Sequence, residues 1–153
     1  MMGAAGLAYG KAPAAEKRNV LFLIVDDLRP ELGCYGNRIV KTPNIDRLAR
    51  AGVSFRESYT AYPLCSPARS SLFTGRMPSE TGVINNGLPI RKEIPNLGQW
   101  LGERGYDTVY VGKWHVPGSY PTEIPGFTVV PGGSVGQGHM GDAAVSRACQ
   151  AWL

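Results

Sequence analysis

The chain contains no Cys-x-x-Cys pair. Its three cysteines, Cys34, Cys65 and Cys149, lie far apart, which argues against a zinc ribbon. It also has no dense run of Lys or Arg. The net charge of +4 therefore favours anionic ligands in general and gives no sign of a nucleic-acid surface. No apolar stretch approaches the ~20 residues of a bilayer span. The Ala- and Gly-rich residues 1–18 lack a basic leading segment, yet Ala12, Pro13 and Ala14 resemble a signal cleavage site. They read as a signal-like or flexible segment, and the signal reading implies a periplasmic or secreted protein. At the other end, the helical pattern over residues 142–153 has no Gly or Pro stop after it. We read residues 19–153 as the amino-terminal part of a longer domain. With 153 residues, 43% of them hydrophobic and 18% charged, the chain can still bury an ordinary globular core.

A continuous apolar run, NVLFLIV at residues 19–25, has the length and composition of a parallel strand covered on both faces. It ends on Asp26 and Asp27, at the strand end where open α/β sheets bind ligands. Two adjacent carboxylates there are costly unless paired or metal-bound, and oxygen-only ligands imply a hard cation, Ca²⁺ or Mg²⁺. Residues 28–41 read as loop. Thr42 and Pro43 open a helix with Ile45, Leu48 and Ala49 as its buried stripe and Gly52 as its stop. Residues 53–59 alternate like a strand. A helix is expected to start with Pro67 at its first position, with Arg69, Leu72 and Phe73 at helical spacing and Gly75 as its stop. Cys65 then lies at the positive end of a helix, beside a cation.

Residues 76–91 read as loop, residues 95–104 as helix, and residues 108–111 as a second buried strand. Lys113 and His115 leave the carboxyl end of that strand. Residues 116–141 read as Pro- and Gly-rich loop. Their Gly136-x-Gly138-x-x-Gly141 pattern is no dinucleotide site, because the acid expected about 20 residues on would fall beyond Leu153. His139 is then a loop residue. The final helix carries Val145, Ala148, Cys149 and Trp152 on one face. Strand and helix alternate, so the fold class is α/β, with a mostly parallel central sheet and helices on both faces.

The stretch from Pro63 to Gly75, with Cys65-x-Pro67-x-Arg69 followed by Thr74-Gly75-Arg76, resembles the signature of the sulfatase family. Residues 105–115 resemble its second signature, independently of the first. Residues 26–36 are similar to the iduronate-2-sulfatase branch. That branch carries one more residue between the lysine and the histidine, so a broader glycan or aryl sulfatase reading is favoured. The resemblance implies an alkaline-phosphatase-like fold, incomplete here at its carboxyl end.

The resemblance also implies a chemistry. Cys65 is oxidised after synthesis to formylglycine, which requires a formylglycine-generating enzyme as maturation partner. Its aldehyde hydrates to a gem-diol. One hydroxyl attacks the sulfur of a sulfate ester, and loss of the proton from the other expels sulfate. Asp26, Asp27 and the modified Cys65 belong to the Ca²⁺ (or Mg²⁺) shell, whose remaining ligands the family takes from further downstream. Arg69 holds the diol or the sulfate, Lys113 faces the sulfate, and His115 holds or deprotonates the diol. Two rival readings remain. One is a phosphoester hydrolase of the same superfold, and the other is a non-catalytic binding fragment or a truncated, inactive piece. A thiolate phosphatase is disfavoured, because it would need Cys-x₅-Arg and Ser71 occupies the arginine's place.

Overall fold

A computed structural model describes residues 17–116, 123–135 and 141–153. The signal-like stretch up to residue 16 and the Gly-x-Gly-x-x-Gly stretch with His139 lie outside the described residues. The chain divides into two compact units, Met1–Ala49 and Arg50–Leu153.

In the first unit the expected strand at residues 19–25 is not formed. Among the described residues the run pairs with no strand, and its side chains are exposed, Leu23 by 66%. A parallel strand is stable only with ladder partners at its edges and cover on its faces, and the described residues of this unit supply neither. Helix α1 spans Pro43–Ala51 as expected. Its anticipated buried stripe is not buried: Leu48 is 64% exposed and Ile45 is also open. What fastens α1 is polar. The Asp46 carboxylate accepts the Cys34 amide at 2.7 Å and the Thr42 hydroxyl at 2.9 Å. The Thr42 hydroxyl in turn accepts the Gly33 amide at 2.9 Å. The three-residue turn Gly33–Tyr35 is thus tied to the start of α1.

The second unit holds the core. The expected strand at residues 53–59 is absent, and Val53, Phe55 and Tyr59 are exposed. Helix α2 spans Cys65–Thr74 and stops at Gly75, whose φ of 69° is the left-handed conformation that suits glycine. The helix starts at Cys65, two residues earlier than a first-position Pro67 would give. Proline is tolerated there because amides in the first turn have no helical partner. Of the helical set, Arg69 and Phe73 point inward while Leu72 is exposed. The loop expected at residues 76–91 contains a short helix, α3, Pro78–Thr81. Helix α4, Leu97–Gly102, is capped by Asn96, whose Oδ1 accepts the Gly98 amide at 2.8 Å. The Asn96 Nδ2 donates to the Pro125 carbonyl at 2.8 Å.

Among the described residues the sheet has two parallel strands, β1 (Val109–Lys113) and β2 (Thr128–Val135). β2 falls in a stretch expected to be loop, a correction. Its Pro and Gly residues are taken up by an irregularity opposite the step from Tyr110 to Gly112, the latter with φ 104°. Helix α5, Asp142–Trp152, packs on both strands. Between α2 and the sheet sit Phe73, Tyr110, Trp114, Val116 and Ile124, with Phe127 packed against them. The rings of Phe73 and Trp114 lie 4.7 Å apart, and Tyr110 meets Trp114 edge-on at 5.4 Å. Such pairs add to the burial of apolar area. The core thus binds the helix carrying Cys65 to the strand carrying Lys113.

Gly126 lets α4 approach the turn before β2. A Cβ there would lie 2.3 Å from the Gln99 nitrogen and 2.6 Å from the Gly98 carbonyl carbon, at a φ of 76°. Gly126→Ala is expected to cost about 2–3 kcal/mol in urea unfolding, through backbone strain and overpacking.

Candidate active site

Cys65 is the first residue of α2 and Lys113 the last of β1, so the core delivers both to one place. The Lys113 Nζ lies 3.7 Å from the Cys65 Sγ. Arg69, one turn along α2 and only 6% exposed, donates through Nη1 to the Lys113 carbonyl at 2.6 Å. The Tyr110 hydroxyl donates to the same carbonyl. His115, two residues on, takes a left-handed backbone with φ 54°. Its carbonyl accepts the Ser66 hydroxyl at 2.5 Å. The Ser66 amide donates to Asn86 Oδ1 at 2.9 Å.

Cys65, Arg69, Lys113 and His115 are therefore gathered where α2 meets the end of β1. Arg69 commits part of its donor fork to the backbone of Lys113, a contact that spacing alone did not anticipate. Ser66, Asn86 and Tyr110 were also missed. The contact between Ser66 and His115 spans 49 residues, and no local pattern marks it. The one available cue was Asn86-Gly87, a turn pair at the edge of the loop.

Asp26 and Asp27 belong to the first unit, where Asp27 has a left-handed backbone, φ 54°. Their carboxylates are of the right chemistry for a hard cation. Among the described residues no cluster of three or more His, Cys, Asp or Glu side chains converges, so the pair supplies at most part of a shell. Cys34, Cys65 and Cys149 are all free thiols.

Burial pushes the Tyr110 hydroxyl up to about 12, with the Arg69 charge and hydrogen bond pulling weakly the other way. The folded value is thus raised above the unfolded value near 10. Its contribution to stability is complete below about pH 10 and is lost as pH rises towards 12, on the order of 3 kcal/mol across that window. Tyr110→Phe is expected to flatten the alkaline arm of the stability curve, measured by urea unfolding from pH 9 to 12.

The sulfatase family model matches residues 18–140. The chain belongs to the sulfatase family. Iduronate 2-sulfatase of Mus musculus is 42% identical over 108 residues, covering 69% of this sulfatase chain and 20% of the relative. A protein solved in complex with its substrate D-glucosamine-2-N,6-O-disulfate superposes with a TM-score of 0.57 at 32% identity, over 63% of this chain and 19% of that one. The phosphonate monoester hydrolase of Agrobacterium radiobacter superposes with a TM-score of 0.58 at 31% identity, over 66% and 23%. This sulfatase chain thus has the alkaline-phosphatase-like α/β fold, and it spans about a fifth of the length of the curated relatives it matches. Among the described residues, no helix is long and apolar enough to cross a membrane.

Proposed function

We propose that this chain carries the nucleophile side of a sulfuric ester hydrolase acting on a sulfated sugar or aryl sulfate. The observation that carries the reading is the 3.7 Å approach of Lys113 Nζ to Cys65 Sγ at the start of α2. A sulfate ester is anionic, and charge grows on the departing oxygen as the S–O bond breaks. A fixed ammonium beside the nucleophile holds the negative sulfate oxygens and draws charge from the sulfur as that bond breaks, without rearranging at the moment of reaction. Cys65 is the residue to be oxidised to formylglycine by a formylglycine-generating enzyme. The formylglycine hydrate supplies two hydroxyls on one carbon, one to attack sulfur and one whose ionisation later expels sulfate.

Within that scheme Lys113 binds the sulfate oxygens and Arg69 keeps Lys113 in place, with guanidinium donors directed to the same anion. His115 takes or holds a proton at the nucleophile. Asp26, Asp27 and the oxidised Cys65 would contribute to the site of a divalent cation, Ca²⁺ or Mg²⁺, which when bound would polarise the sulfate. The Ala12-Pro13-Ala14 stretch supports an exported protein, periplasmic or secreted.

The likeness to a phosphonate monoester hydrolase favours a second reading, cleavage of a phosphorus ester on the same scaffold. Two measurements separate them, on protein produced together with a formylglycine-generating enzyme. Mass spectrometry of the tryptic peptide of residues 57–69 is expected to show an aldehyde in place of the Cys65 thiol. Hydrolysis of 4-nitrophenyl sulfate is expected to exceed that of phenyl phosphonate esters. An unmodified thiol together with preferred phosphonate cleavage would overturn the sulfatase reading.

A further inference from the structure

We propose that Ser66, with Asn86 behind it, is a positioning residue that holds the His115 turn against the Cys65 end of α2. The inference rests on the sulfatase reading for its catalytic meaning and on geometry for its substance. The turn leaving β1 presents two carbonyls, those of Lys113 and His115, and α2 grips both. Arg69 takes the first at 2.6 Å and Ser66 takes the second at 2.5 Å. Ser66 and Arg69 are three residues apart and therefore share a helix face. Tyr110 closes on the Lys113 carbonyl from the strand side. The turn is thus pinned at two points, with Trp114 buried between them in the aromatic core.

Ser66 is suited to this task. It is wholly buried, so its hydroxyl cannot be replaced by water without a rearrangement. Its own position is fixed from the other side. α2 has no side-chain cap from Leu64, the residue before it. The cap comes instead from Asn86, twenty residues on, whose Oδ1 accepts the Ser66 amide. Asn86 fixes Ser66, Ser66 fixes the His115 carbonyl, and the left-handed φ of His115 is held in a conformation that a side-chain-bearing residue adopts at some cost. The direction of the imidazole relative to Cys65 then depends on a hydroxyl that touches neither substrate nor nucleophile.

The test is a double-mutant cycle on the matured protein with 4-nitrophenyl sulfate. Ser66→Ala is expected to lower kcat about 30-fold with KM changed by less than about threefold, the pattern of a misplaced catalytic group. If Ser66 works through His115, Ser66→Ala added to His115→Ala costs nothing more. Independent, multiplying losses would overturn the proposal, as would full activity of Ser66→Ala. Should Ser66→Ala not fold, Asn86→Ala, at an exposed position, runs through the same cycle with a smaller loss and the same non-additivity. Hydrogen exchange supplies a readout that needs no turnover. Peptides covering residues 111–116 are expected to exchange about tenfold faster in either variant. Unchanged exchange there removes the clamp even if the protein is a sulfatase. Faster exchange in a protein that cleaves no sulfate ester keeps the clamp and removes the functional reading.

Discussion

Cys65→Ser is expected to reduce steady-state hydrolysis of 4-nitrophenyl sulfate by about 10⁴-fold or more, and to do so without unfolding the protein. The scale is that of losing a nucleophile that acts as one unit with its partners. The argument turns on counting hydroxyls. A serine side chain has one. In the setting of Lys113 and His115 it can attack sulfur and release the alcohol, after which the sulfate is carried on that single oxygen. No second hydroxyl on the same carbon can lose a proton and push the sulfate off. One alcohol per chain is released and turnover stops. Mass spectrometry of the variant after exposure to substrate is expected to show the peptide of residues 57–69 heavier by one sulfate group. The structural cost is small because Cys65 is only half-buried, makes no disulfide and caps no other element. Serine at the first helical position is well tolerated. Undiminished turnover by Cys65→Ser would remove the need for a modified side chain and leave the phosphonate-type reading in its place.

The parts of this molecule that could be read in its sequence are those whose signals are local. Gly75 ends α2 because a left-handed residue must follow the last turn, and that demand is written at one position. The strand ending at Lys113 and the helix from Asp142 were legible for the same kind of reason. The run at residues 19–25 shows the opposite case. Its apolar letters state that it is to be buried, but they do not state by what, and the alternating letters of residues 53–59 are likewise left exposed. β2 was hidden for another reason. Pro131, Gly132 and Gly133 are loop letters that a strand accepts only at an irregularity, and here they fall between Val129 and Ser134, where β2 carries extra residues opposite the Tyr110–Gly112 step of its partner. At the candidate site, the motif letters singled out Cys65, Arg69, Lys113 and His115, whose segments the structure brings together. The contacts that brace them, Ser66 to His115 and Asn86 to Ser66, join segments 49 and 20 residues apart. Side chains that act through such closures carry no periodic signature.

Lys113→Ala is expected to lower kcat for a sulfate ester by about 10³-fold, the upper range for removing one preorganised group aimed at developing charge. The effect is electrostatic before it is structural. Lys113 reaches the site with its stem at the end of β1 and its ammonium 3.7 Å from the Cys65 sulfur. Its backbone carbonyl, which Arg69 and Tyr110 hold, survives the substitution, so the turn that carries His115 keeps its anchors. The core around Phe73 and Trp114 is untouched, and the melting temperature is expected to stay within about 2 °C of the parent's, as for a surface-like truncation. Lys113→Arg is the informative companion. It restores the charge but substitutes a planar fork for a compact ammonium, and a fork of that reach displaces the sulfate from the in-line position. Partial recovery is expected, about tenfold of the thousandfold lost, on the scale of a misplaced reactant. Full recovery by arginine would mean that only net charge matters here. Recovery by Lys113→Gln to the same level would mean that charge does not matter, and the assignment of Lys113 to the sulfate would fall.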